Sequence, residues 1–299
     1  MGGGTRQDQT NSRSGLSASV GSYGTQCPES KLKECLQIGE YIIEHEDNGY
    51  SLKKERQLLG MYKEATILTP ERALFKLDKG MLLEVSPKGI RKVLSPAKAG
   101  ILGFINSDGS LTYSTKPNVY MVRFGSCSDE LLVKFNEFMN EVYGIRLPMY
   151  RRKDRRHFIE LVKENKEMVQ DLANYTSKPK GDWNVPFEYL DKESAKMFLK
   201  CFMSGDGGIG YYKKSERPTP RLEVRFFSMN RKGLEEIATL LREYFGISSS
   251  HIYEKKKGGF ELWIIRVDDK IKYIKEIGSF KISHIEAIER ALRRIEPND

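Results

Sequence analysis

The sequence predicts an α/β chain of the α+β kind, two pseudo-symmetric αββαββα repeats preceded by a mainly helical N-terminal region. Three observations predict it. Val122 to Ile145, VRFGSCSDELLVKFNEFMNEVYGI, aligns without a gap with Val224 to Ile247, VRFFSMNRKGLEEIATLLREYFGI, an offset of 102 positions. Ahead of each block stands an apolar stretch closed by Asp-Gly: ILGFINSDG from Ile101 and LKCFMSGDG from Leu199. Between and beyond these landmarks the apolar residues switch between helical and two-residue periods at matching points in both halves.

The first 26 residues are rich in Gly, Ser, Gln and Thr with little to bury, the composition of a disordered arm. Residues 27–94 are expected to form a helical accessory region, since Leu32, Leu36, Tyr41, Ile42 and Ile43 fall near helical spacing. Within it SLKKERQLLGMYKEATI, residues 51–67, has the outline of a helix-turn-helix, with Leu52, Leu58 and Leu59 before a turn at Gly60. Repeat 1 then occupies residues 95–188 and repeat 2 residues 189–299.

In each repeat an apolar helix comes first. Ser95-Pro96 opens one copy and Asp191 the other, and Gly109 and Gly207 are expected to supply a left-handed cap at the far end. A hairpin follows, and in its second strand Tyr120, Val122 and Phe124 alternate with Met121 and Arg123, as Leu222, Val224 and Phe226 alternate with Glu223 and Arg225. Arg123 and Arg225 thus leave the core on equivalent faces. Amphipathic helices are expected from about Asp129 to Tyr143 and Lys232 to Tyr244. A second hairpin pairs Leu147 to Tyr150 with His157 to Val162, and His251 to Tyr253 with Phe260 to Val267, before a last helix in each half. Both second hairpins have basic tips: Arg151, Arg152, Lys153, Arg155 and Arg156 in one, Lys255, Lys256 and Lys257 in the other.

Composition narrows the function. The 299 residues, 39% hydrophobic, suffice for a sizeable core, which excludes a disordered chain. Lys and Arg number 50 against 41 acids, a formal charge of +9 that favours a polyanionic partner such as nucleic acid. Cys27, Cys35, Cys127 and Cys201 have neither paired nor metal-ligand spacing, so an intracellular, reducing compartment is expected. No apolar run approaches the ~18 residues of a membrane span, and no signal-peptide or protein-splicing pattern is expected at the ends.

The paired stretches carry the chemistry. Gly103 with Ser107, and Cys201 with Gly205, put small residues one turn apart on a helix face, so that two helices can pack backbone to backbone. Such packing across a pseudo-twofold axis brings Asp108 and Asp206 together at two helix C-termini, where like charge and both dipoles oppose them. Divalent cations relieve that conflict. Oxygen-only ligands at a solvent-reachable interface favour Mg²⁺, or Mn²⁺, completed by waters and substrate phosphate, which suits hydrolysis of a phosphodiester by in-line displacement.

ILGFINSDG and LKCFMSGDG resemble the two signature helices of single-chain LAGLIDADG homing endonucleases, over about two thirds of the chain, from Ser95 onward. The resemblance implies a saddle of antiparallel sheets over double-stranded DNA, with one acid from each signature helix, Asp108 and Asp206, at the metals. It also implies backbone carbonyl ligands from Ser107 and Gly205, and a polar side chain at the end of each second strand, where Ser126 and Ser228 stand. A lysine reaching the active-site water network is implied too, the candidates being Lys178 or Lys180 in repeat 1 and Lys281 in repeat 2. Asn106 and Ser204 replace the first acid of the family's motif. On this reading Arg123 and Arg225 face base edges while the basic tips hold phosphates. The expected activity is that of a monomeric, intron-encoded, site-specific endonuclease. Two alternatives stand beside it: a maturase binding intron RNA, and a non-cleaving DNA-binding regulator that joins the fold to a helix-turn-helix.

Overall fold

The computed structural model describes residues 35–55, 57–115, 118–151, 157–176, 182–212, 220–248 and 250–295. Its first part corrects the helical expectation. β1 (Cys35–Ile38), β2 (Tyr41–Glu46), β3 (Gly49–Lys54) and β4 (Gln57–Tyr62) form one antiparallel meander. β5 (Ala65–Thr69), β6 (Arg72–Lys76), β7 (Met81–Ser86) and β8 (Gly89–Leu94) form a second. The described residues among 51–67 therefore lie in β3, β4, β5 and the short segments joining them, and no helix-turn-helix exists among them.

The physical reason is turn chemistry. Gly39 (φ +56°) and Gly49 (φ +135°) take backbone conformations that L side chains avoid, and a Cβ on Gly49 would meet the Tyr62 carbonyl at 2.2 Å. With Pro70-Glu71 and Pro87-Lys88, these punctuate the chain at short intervals that suit hairpins and leave no room for helices. The leucines taken for a helical stripe also part company: Leu52 is buried, while Leu58 and Leu59 are exposed. Ile38, Tyr41, Ile43, Leu52, Ala73, Phe75 and Val85 come from both meanders into one small core.

The remainder repeats. The first unit comprises α1 (Pro96–Asn106), β9 (Gly109–Thr115), β10 (Asn118–Ser126), α2 (Asp129–Tyr143), β11 (Met149–Arg151), β12 (Ile159–Glu164) and α3 (Lys166–Ala173). The second comprises α4 (Lys192–Asp206), β13 (Gly207–Tyr212), β14 (Arg221–Ser228), α5 (Arg231–Phe245), β15 (Ser250–Glu254), β16 (Phe260–Ile264) and α6 (Val267–Glu276), followed by α7 (Ile282–Ile295). Strand orders β11-β12-β10-β9 and β15-β16-β14-β13 are the same four-stranded antiparallel arrangement twice. One continuous core runs through both repeats, with Phe104, Phe124 and Phe135 in the first and Phe202, Phe226 and Tyr273 in the second. Phe124 stacks on Phe135 at 4.8 Å between centroids, and Phe226 meets Tyr273 edge-on at 5.7 Å.

The β-meanders attach at the starts of α1 and α4. β8 runs directly into Ser95, whose hydroxyl caps α1 by accepting from the Lys98 amide at 3.2 Å. Asp191 caps α4 through a reciprocal box with Ser194, and its second carboxylate oxygen accepts from Arg72 of β6 at 2.6 Å. Arg72 also holds Glu84, which Arg91 grips from the other side, and Arg91 reaches the Leu190 carbonyl.

Candidate active site between two paired helices

α1 and α4 pack against each other more extensively than any other pair of helices described. Small residues permit it. A Cβ on Gly103 would stand 2.4 Å from the Phe198 carbonyl oxygen and 3.0 Å from the Cys201 Cβ. At the next turn a Cβ on Gly205 would meet the Ser107 hydroxyl at 2.3 Å and lie 3.3 Å from Asp108 Oδ2. Gly103, Ser107, Cys201 and Gly205 thus line the contact, and the Asp108 carboxylate lies beside the residue that precedes Asp206. Asp108 is exposed and Asp206 half-buried, so solvent reaches both.

The helix ends differ from the expected left-handed caps. Gly207 is extended (φ −107°, ψ 174°), and neither it nor Gly109 has positive φ. Glycine is required there for space. A Cβ on Gly207 would meet the Met203 carbonyl at 2.4 Å, and one on Gly109 would meet Ile105 Cα at 2.6 Å. Each helix passes almost directly into the first strand of a sheet, and each acid is the last residue before that strand.

Other sequence-predicted residues fall in different places. Ser126 and Ser228 are buried, and their hydroxyls accept from the backbone amides of Ser128 and Asn230, each at 3.0 Å. Trp183 also donates to Ser228 at 3.3 Å, so both hydroxyls are engaged in local turns. Lys281 stands half-buried at the start of α7. Lys178, Lys180, Arg152, Lys153, Arg155 and Arg156 lie outside the described residues.

Arg123 and Arg225 occupy equivalent points of the two repeat sheets, opposite Ser110 and Gly208 in the neighbouring strands. Arg123 is exposed, its guanidinium against the Met121 sulfur at 2.8 Å. Arg225 is more constrained, lying 5.2 Å from the centre of the Trp263 ring and 3.8 Å from Glu261. Glu261 also accepts from Lys255 at 2.9 Å and from the Trp263 indole at 3.0 Å. Burial alone would push the Glu261 carboxyl up, but those hydrogen bonds and the two nearby cations outweigh it and hold it low. Glu261 and Trp263 were missed from sequence, although the alternation in FELWI does place both on the face opposite Leu262. Arg151, Lys255, Lys256 and Lys257 are all exposed at the hairpin ends.

The duplicated topology and the paired helices define a chain built of two αββαββα repeats that meet at α1 and α4. Residues 193–278 match the family model described as a LAGLIDADG-like domain, so the second repeat carries that domain. Among solved structures, the homing endonuclease I-DmoI in complex with DNA and Ca is similar, at 18% identity over 66% of this chain and 97% of that one, TM-score 0.47. I-DmoI in complex with DNA and Mn gives 19% identity over 61% of this chain and 96% of that one, TM-score 0.44. Full-length DUF199/WhiA from Thermatoga maritima gives 20% over 67% of this chain and 60% of that one, TM-score 0.42. No curated protein matches the chain.

Proposed function

We propose that this protein is a site-specific, divalent-metal-dependent endonuclease for double-stranded DNA. The observation that carries the reading is the meeting of Asp108 with the Gly205-Asp206 end of α4, at the tightest part of the α1/α4 contact. Two carboxylates at adjoining helix C-termini concentrate negative charge where both dipoles are also negative, and such a place favours a cation.

The residues present fit Mg²⁺ or Mn²⁺. Asp108 and Asp206 supply hard oxygen ligands, the carbonyls of Ser107 and Gly205 adjoin them, and neither acid is sealed from solvent. No group of three or more His, Cys, Asp or Glu side chains gathers among the described residues. When bound, such ions lower the pKa of water and neutralise charge on the scissile phosphate. The chain's own part is positional: the two-helix contact fixes the separation of the acids, and the turns at Gly109 and Gly207 join each acid to a sheet. Arg123, Arg225 and the hairpin tips provide the cationic contacts that a DNA backbone and its base edges require.

A non-cleaving regulator drew its support from a helix-turn-helix at residues 51–67, and the described residues there form β3, β4 and the start of β5 with no helix. The direct test is selection from a randomised duplex library with Mg²⁺ present. Cleavage of a defined long site is expected, whereas tight sequence-specific binding without a cut overturns the endonuclease reading.

A further inference from the structure

The residue two positions before each acid makes the same kind of bond. In repeat 1, Asn106 Oδ1 accepts from the Thr176 hydroxyl at 2.7 Å, and both residues are buried. In repeat 2, Ser204 is fully buried and its hydroxyl contacts that of Ser279 at 3.0 Å. Thr176 and Ser279 each follow the last helix of their αββαββα unit. Two different side-chain pairs therefore make one connection, from the last turn of a signature helix to the segment leaving its repeat.

In repeat 2 the connection is dense. Ser204 Oγ donates to the Lys200 carbonyl at 2.7 Å and accepts from the Phe280 amide at 2.8 Å. Ser279 Oγ accepts from the Lys281 amide at 3.2 Å and contacts His284 Nδ1 at 2.9 Å. The other side of this segment is held by repeat 1, where Glu130 of α2 accepts from the Ile282 amide at 3.1 Å and Phe138 packs on Phe280. Lys281 is thus anchored through both neighbours and through its own amide, while Ser204, the anchor, sits two residues before Asp206.

We propose that Ser204 is a positioning residue, a buried peg that fixes the backbone at Phe280 and Lys281 relative to the Asp206 end of α4, with Ser279 as its partner. The inference rests on the endonuclease reading for what Lys281 does, and on geometry alone for the peg. A lysine whose backbone is held at a set offset from the acids can present its charge to a phosphodiester with little reorganisation during the step. A peg that slips by about 1 Å is expected to slow the step by as much as roughly 100-fold.

The test uses the full chain with four variants: Ser204→Ala, Ser204→Thr, Lys281→Met and Ser204→Ala with Lys281→Met. On a selected duplex under single-turnover conditions, Ser204→Ala is expected to lower the cleavage rate roughly 10- to 100-fold with DNA affinity unchanged. Ser204→Thr, which keeps the hydroxyl, restores most of the rate. The double variant is no slower than Lys281→Met, because the peg acts through the lysine. Losses that multiply in the double variant overturn the proposal. A second readout needs no cleavage: acetylation of Lys281 by acetic anhydride, followed by mass spectrometry and normalised to exposed Lys256. Ser204→Ala is expected to change that rate several-fold, and an unchanged rate overturns the peg. Should wild type cut no duplex while the acetylation changes as expected, the peg stands and the endonuclease reading falls.

Discussion

Gly103 of α1 and Phe198 of α4 approach so closely that a Cβ on Gly103 would lie 2.4 Å from the Phe198 carbonyl. The obstacle is backbone, so the two helices themselves would have to separate. Gly103→Ala is expected to destabilise the protein by about 1–3 kcal/mol despite alanine's better helix propensity. Urea unfolding of the two proteins checks it, and a neutral or stabilising effect contradicts the tight crossing.

Arg72 ties the β-meanders to the cap of α4 by donating to Asp191 at 2.6 Å and to Glu84 at 2.5 Å. Both carboxylates are largely buried, so Arg72→Ala leaves each with one partner fewer, at an expected cost of about 2–3 kcal/mol. Hydrogen exchange should show faster opening at the first turn of α4, around Ser194. Arg72→Lys is expected to recover little, since a single ammonium cannot span two carboxylates as the guanidinium fork does.

His284 gives stability a pH dependence. Burial first, and the nearby Lys281 charge second, push its pKa down to about 4 from an unfolded value near 6.5. The unfolded chain therefore takes up the proton first as pH falls. His284's contribution is complete above about pH 6.5 and is lost progressively toward pH 4, by roughly 3 kcal/mol in all. Unfolding measured at pH 7.5 and at pH 5 should show a smaller difference in His284→Gln than in wild type.

The proposed DNA contacts divide into two kinds of cation. Arg225 is oriented by Trp263 and Glu261, whereas Lys256 stands exposed at a hairpin end. Arg225→Ala is expected to cost about 1–3 kcal/mol on the preferred duplex and to relax its sequence preference. Lys256→Ala should weaken preferred and random duplexes alike and lower the salt slope by about 1. Affinities across a salt series check both outcomes.

These contrasts also mark what the sequence could show. The repeat was legible because Val122–Ile145 and Val224–Ile247 share both apolar period and landmarks, and packing follows period. Ser95 and Asp191 were readable as caps because a helix start is a local chemical event. Residues 35–94 were misread because near-helical spacing at Leu36, Tyr41 and Ile43 outweighed the hairpin turns at Gly39 and Gly49, which carry the stronger constraint. Gly109 and Gly207 were rightly placed at helix ends but for the wrong reason: they answer a close approach by the preceding turn. Ser204–Ser279 and Arg72–Asp191 join residues 75 and 119 positions apart, and only the folded chain shows such pairs.

The central claim is that Asp108 and Asp206 form one shared metal site. Supercoiled plasmid carrying the selected duplex is the substrate, with Mg²⁺, for wild type, Asp108→Asn and Asp206→Asn, each first shown to bind that duplex with wild-type affinity. Each substitution is expected to abolish linear product, because one acid from each helix is needed. Linear product formed at the wild-type rate by either variant would contradict the claim.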